Sequence, residues 1–195
     1  MQASLVVGIP QASACGAAGP LKTNVIKLLR MQHNYRRIVI FGNGAAGKTT
    51  LAKRLGKEMQ SDVLELDHVR WDEAREKLNT PEKCKEVILK FIKSRENWII
   101  EGLHSSLLEV AINHATEIHF LNPGFDVCRA RAVSRPWDPR KSSSPESQQK
   151  LFEKYEPWFK SYDTRTDEAS LSAHRTLFDR FSGLKFEHTD AKIEL

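Results

Sequence analysis

Gly42-Asn43-Gly44-Ala45-Ala46-Gly47-Lys48-Thr49 is a complete G-x-x-x-x-G-K-[ST] stretch, and its reading decides the fold. Arg36-Arg37-Ile38-Val39-Ile40-Phe41 precedes it, an apolar β-branched run behind two charges. Thr49-Thr50-Leu51-Ala52-Lys53-Arg54-Leu55 follows, with Leu51 and Leu55 four apart as on one helix face. Strand, glycine loop and helix in that order put the loop at a helix N-terminus, where backbone N–H groups and the helix dipole draw an anion. Gly42, Gly44 and Gly47 let the backbone turn tightly and aim its N–H groups at a phosphate chain. Lys48 can set an ammonium on the terminal phosphates, and the Thr49 hydroxyl can ligate Mg²⁺. The expected contacts of the phosphate-bearing ligand are Gly42, Asn43, Gly44, Ala45, Ala46, Gly47, Lys48, Thr49 and Thr50.

Outward from the loop, strands and helices alternate. Asp62-Val63-Leu64-Glu65-Leu66-Asp67 reads as a second strand ending in an acid. Thr80-Pro81-Glu82 starts a helix, with a capping Thr and Pro in the first turn, and Val87, Ile88, Phe91 and Ile92 form its apolar face. Trp98-Ile99-Ile100-Glu101-Gly102 is a third strand, followed by a short helix capped by Ser105 or Ser106. Glu117-Ile118-His119-Phe120-Leu121 is a fourth strand, stopped by Asn122-Pro123-Gly124. A helix through Val127, Arg131 and Arg135 is broken by Pro136-Trp137-Asp138-Pro139-Arg140, and the Ser-rich residues 141–147 read as a mobile loop. Helices near 146–159 and 166–181 and a strand Leu184-Lys185-Phe186-Glu187-His188 complete the chain. Five alternating strands imply an α/β fold with a parallel sheet covered on both faces. That domain spans residues 35–195, and residues 1–34 read as a poorly ordered extension. A transit peptide, or a start at Met31, is the alternative for that segment.

Ligands of open parallel sheets bind at the carboxyl ends of the strands. The glycine loop, Asp67 and Glu101 all fall there. Asp67 is either an ordinary loop acid or a group that takes the proton of an acceptor hydroxyl. Glu101 is either a surface acid or a group that holds Mg²⁺ through water, alongside Thr49, or orients the acceptor. Arg129, Arg131, Arg135 and Arg140 lead into the Ser/Pro loop. Arg131 and Arg135, four apart, form either a solvated basic face or a lid that stabilises charge on a transferring phosphoryl group. Trp71, Trp137, Tyr155, Trp158, Phe159 and Tyr162 read mainly as core, with Trp71 the best candidate to line an acceptor pocket. His104 is a surface histidine or a substrate contact.

The 195 residues suit one domain with a good core, and 40% hydrophobic and 28% charged residues are ordinary for a globular protein. A net charge of +5 with no Lys/Arg block argues against a nucleic-acid arm. Cys15, Cys84 and Cys128, with no C-x-x-C, argue against a disulfide framework and a zinc site, and point to a reducing cytoplasm. No apolar run approaches the roughly 18 residues that span a bilayer.

With the loop, Leu66-Asp67, Trp71, Trp98-Ile99-Ile100-Glu101-Gly102, Phe120-Leu121 and the helix bearing Cys128, Arg131 and Arg135, the chain resembles the adenylate-kinase-like P-loop kinases. Within them it is most similar to the small bacterial kinase-like proteins also labelled topology modulation proteins. The resemblance covers residues 36–140 well. It implies a three-layer α/β/α P-loop fold with sheet order 2-3-1-4-5 and an arginine-bearing lid. It also implies ATP on residues 42–49, Lys48 as phosphate ligand, Thr49 as Mg²⁺ ligand, and Arg131 and Arg135 as lid residues. Glu101 stands where the group usually has Asp, and His104 where relatives often have Tyr. Arg70 and Arg75 lack the paired pattern that clamps an acceptor nucleotide, which counts against AMP as acceptor. The expectation is an ATP- and Mg²⁺-dependent small-molecule kinase in the cytoplasm. It would meet a nucleotide and a small acceptor, not nucleic acid or membrane. The alternative is a nucleotide-dependent regulatory ATPase associated with nucleic acid. A GTPase is disfavoured by the lack of an Asn-Lys-x-Asp motif.

Overall fold

Ile38, Val39, Ile40 and Phe41 alternate across the first strand, so one pair faces each side of a sheet and both sides must be covered by helices. The computed structural model describes residues 35–72, 77–139 and 142–190. The expectations for residues 1–34, Arg75, Arg140 and Lys141 lie outside the described residues.

In chain order the elements are β1 (Arg37–Gly42), α1 (Lys48–Met59), β2 (Val63–Glu65), α2 (Leu66–Arg70), α3 (Pro81–Lys93), β3 (Trp98–Gly102) and α4 (Ser105–Ile112). Then come β4 (Glu117–Leu121), α5 (Phe125–Val133), α6 (Pro145–Lys160), a 3₁₀ turn (Ser161–Asp163), α7 (Leu171–Arg180) and β5 (Leu184–His188). The strands form one sheet in the order β2-β3-β1-β4-β5, and every pairing is parallel. With a glycine loop between β1 and α1, this is a P-loop kinase-like α/β fold. Val39 and Phe41 pack with Ile100 and Phe120 beneath α3, α4 and α7. Ile38 and Ile40 pack with Leu51 and Leu55 of α1 and Cys128 of α5. The described residues belong to one compact unit.

Several boundaries differ from the sequence expectation, each for a local reason. The second strand stops at Glu65, and Asp67 lies in the first turn of α2 instead of at a strand end. Leu66 is fully buried against Gly102, where a Cβ would come within 2.8 Å of it. That packing turns the chain early. Helix α5 ends at Val133, so Arg135 is not on it and does not share a helical face with Arg131. Pro136 disfavours helical geometry at the residue before it, and Ser134 ends the helix with its N–H on the Ala130 carbonyl. Ser144 ends the expected loop 141–147, since residues 145–147 already form the first turn of α6. It caps α6 in a reciprocal box with Ser147, ahead of Pro145. His104, rather than Ser105 or Ser106, occupies the N-cap of α4. The last helix begins at Leu171 and not near 166, because Ser170 caps it through the Ala173 N–H.

Candidate functional site

The glycine loop folds back on itself through its own polar groups. Gly42 (φ 145°), Ala45 (φ 57°) and Gly47 (φ 100°) adopt left-handed backbone, and this closes the loop onto the N-terminus of α1. The Lys48 ammonium is buried and donates to the Asn43 carbonyl at 2.8 Å. The Asn43 carboxamide joins the loop to α6: its oxygen accepts from the Gly44 N–H at 2.8 Å, and its nitrogen donates to the Phe159 carbonyl at 3.0 Å. Gly44 is not one of the left-handed positions. The Phe159 ring lies over it, so a Cβ there would fit only if that ring moved aside. Arg131 reaches from α5 to donate to the Ala46 carbonyl at 2.5 Å.

One strand-end acid, Glu101, meets this loop, and Asp67 lies near it on α2. The Thr49 hydroxyl donates to Glu101 at 2.5 Å, tying the start of α1 to the end of β3. Glu101 is buried, and burial raises its pKa above the usual carboxylate range. Lys48 and the Thr49 hydrogen bond pull it down, and the nearby Asp67 and Glu65 push it up. Asp67 is exposed on α2, near enough to Glu101 and His104 to act on both electrostatically. Thr49 and Glu101 present a hard, all-oxygen pair of the kind that suits Mg²⁺, which takes one or two protein oxygens and completes its shell from phosphates and water. No group of three or more His, Cys, Asp or Glu among the described residues could hold a metal by itself.

Beside Asp67 lies a second polar cluster. Glu168 accepts from Arg70 at 3.0 Å, faces His104 Nδ1 at 3.0 Å, and is bonded to the Ser106 hydroxyl. Behind it, His174 Nε2 donates to the Leu103 carbonyl at 2.7 Å, so Nδ1 accepts from the Tyr162 hydroxyl at 2.7 Å. Burial pushes the fully enclosed His174 down to about 4.

This has a pH consequence. The unfolded chain takes up the His174 proton near pH 6.5, the folded chain only near 4. Stability is therefore complete above pH 6.5 and falls as pH drops toward 4, by about 3 kcal/mol for this residue. His188, held down to about 4 by burial and by His119, titrates over the same window. His174→Gln should flatten the fall in urea-unfolding free energy between about pH 7 and 4.5. An unchanged slope would show that His174 contributes nothing to it.

The structure thus brings Lys48, Thr49, Glu101, Asn43 and Arg131 together, with Asp67 nearby. It does not bring Arg135 to the loop: that residue is exposed, with its carbonyl accepting from Gln148. Thr50, the last expected phosphate contact, is exposed one residue into α1 beyond Thr49. Trp71, Trp137 and Tyr155 are exposed and not core, whereas Tyr162 is buried. Trp71 pairs with Leu78 in an isolated antiparallel bridge next to the Asp67 helix. Sequence reading missed Glu168 with its partners Arg70 and His104, and the Tyr162–His174 link. All join residues more than ten positions apart or in unpatterned loops, and no local signal marks them.

No family model matches this chain, and no curated protein matches it. Among solved structures, a sugar kinase from Janibacter sp. HTCC2649 is similar at 14% identity, covering 82% of this chain and 87% of its own, with a TM-score of 0.46. A shikimate kinase from Acinetobacter baumannii in complex with shikimate follows at 17% identity, covering 76% and 94%, with a TM-score of 0.39. A deoxyadenosine kinase from M. mycoides with bound dATP is 16% identical, covering 81% and 92%, with a TM-score of 0.37. At these scores the likeness adds nothing to what the strand order already establishes.

Proposed function

We propose that this chain is a phosphotransferase that moves the γ-phosphoryl group of ATP to a small acceptor. The observation that carries this reading is the Thr49–Glu101 hydrogen bond, which places a strand-end acid at the mouth of the glycine loop. A loop that only held a phosphate would not need a buried carboxylate there, since burying it raises its pKa and costs free energy.

In this reading the N–H groups of residues 42–49 and the Lys48 ammonium hold the phosphate chain. Thr49 and Glu101 would hold Mg²⁺, which when bound neutralises phosphate charge. Asp67 takes the proton from the acceptor hydroxyl, whose oxygen bonds to the γ-phosphorus as the bond to the departing ADP oxygen breaks. Lys48 and Arg131 stabilise the charge that grows on the transferred oxygens. An enzyme supplied with ATP in this way is expected to work in the cytoplasm. No helix among the described residues is long and apolar enough to cross a membrane.

The test is ADP release from Mg·ATP across sugars, polyols, nucleosides, nucleotides and shikimate. Glu101→Gln keeps the shape and the Thr49 contact but removes the charge. It should lower acceptor-dependent turnover roughly 100-fold and raise the Mg²⁺ needed for half-maximal rate. Undiminished turnover at low Mg²⁺, or ADP release that no acceptor stimulates, would remove the assignment.

A further inference from the structure

The inference concerns the acceptor side of the same site and rests on the phosphotransferase reading. Arg70 stands three residues after Asp67 on α2, and a guanidinium there with no anionic partner could receive a carboxylate or phosphate of the acceptor. Here that place is already taken. Glu168 Oε1 binds Arg70 at 3.0 Å and His104 Nδ1 at 3.0 Å, and Oε2 accepts from the Ser106 hydroxyl.

Glu168 is also fixed at its backbone. Its carbonyl accepts from the Ser105 N–H at 2.8 Å, at the start of α4. On one side the Ala169 N–H donates to Asp167, and Ala169 and Ser170 are buried. On the other, Arg165 lies over the Trp158 ring, donates to the Trp158 carbonyl at 2.6 Å, and bonds the Ala169 carbonyl. Glu168 is thus held at its carboxylate by Arg70, His104 and Ser106 and at its carbonyl by Ser105.

The charges follow. Burial works against ionised Glu168, but the Ser106 hydrogen bond, His104 and Arg70 hold its carboxyl below the usual range. Burial and then Arg70 lower His104, so its ring is neutral at pH 7. Facing a carboxylate, Nδ1 carries the proton and Nε2 keeps its lone pair. Arg70 and Glu168 cancel, and Asp67 leaves this group of residues with a net negative charge. What it has left to offer are hydrogen-bond acceptors, the Asp67 carboxylate and His104 Nε2.

We propose that Glu168 is a specificity-determining residue: by holding Arg70 it excludes carboxylate- and phosphate-bearing acceptors and selects an uncharged, hydroxyl-bearing small molecule. The hydroxyls donate to Asp67 and His104. An anionic acceptor would meet two carboxylates and an arginine already neutralised.

The experiment uses inorganic phosphate as the probe on the full chain, comparing wild type, Arg70→Ala, Glu168→Gln and the double variant by calorimetry. In wild type, Arg70→Ala should leave phosphate affinity within about twofold, since the Arg70 charge is already matched by Glu168. Glu168→Gln should add a phosphate site at least roughly tenfold tighter than any Arg70-dependent binding in wild type, and Arg70→Ala should abolish it. Wild-type phosphate binding that depends on Arg70 would overturn the proposal, as would a folded Glu168→Gln protein that gains no site. If Glu168→Gln does not fold, the wild-type and Arg70→Ala pair still decides the matter. ADP release with uncharged polyols and their matching acids separates the two readings. Turnover of the acids through Arg70 overturns the proposal and keeps the kinase. No turnover with any acceptor overturns the kinase, and with it the acceptor class.

Discussion

Lys48→Ala is expected to lower ATP turnover by about 10²–10³-fold while leaving the far-ultraviolet circular dichroism unchanged. Lys48 is buried at the first position of α1, where alanine is at least as good a helix former. Its one described hydrogen bond is to the Asn43 carbonyl, which keeps the Ala46 N–H as a partner at 3.3 Å. The loop thus loses a cation without losing its shape. A second effect adds to the first. Lys48 is the strongest influence holding the buried Glu101 carboxyl down against burial. Without it, Glu101 retains its proton to higher pH and becomes a poorer metal ligand. Any residual activity in the variant should therefore climb with pH over a higher range than in wild type, measured as kcat/KM for ATP from pH 5 to about 9. Full turnover in the variant, or a fall with unshifted pH dependence, would count against Lys48 and Glu101 acting together.

The frame of this site was legible before the structure. The glycine loop announces itself through residue types that serve one geometry, and the apolar runs around Val39, Ile100 and Phe120 are short, β-branched or aromatic, and cleanly bounded. Parallel strands buried on both faces read that way from sequence, and the strand order followed from resemblance. What sequence could not carry is how separate segments meet. The Phe159 ring over Gly44 reaches across 115 positions, and the crowding at Gly44 comes from that ring, not from its own backbone. The second strand is expected to end at Asp67, two residues beyond its end at Glu65, because only tertiary packing of Leu66 on Gly102 says where the chain bends. Arg131 and Arg135 were paired by helical spacing, and a proline one residue further on took Arg135 off the helix. Glu168 lay inside a span read as helix, so nothing marked it as the partner of Arg70.

Gly42→Ala should destabilise the protein by about 3 kcal/mol and weaken nucleotide binding in the fraction that folds. Gly42 ends β1 at φ 145° and pairs with Leu121 of β4. A Cβ there would run into the Leu121 carbonyl oxygen, which is backbone at the end of β4, held between β1 and β5. Moving Leu121 also disturbs the neighbouring strand, since the next residue, Asn122, donates its N–H to the His188 carbonyl at the end of β5. The contrast with Gly44→Ala makes the expectation specific. There the obstacle is the half-buried ring of Phe159, which can swing aside. Chemical unfolding should show Gly44→Ala as the milder change, and adding Phe159→Ala should relieve it. The same second substitution should do nothing for Gly42→Ala. Relief of both variants by Phe159→Ala would mean that α6, and not the β1–β4 ladder, sets the conformation of the whole loop.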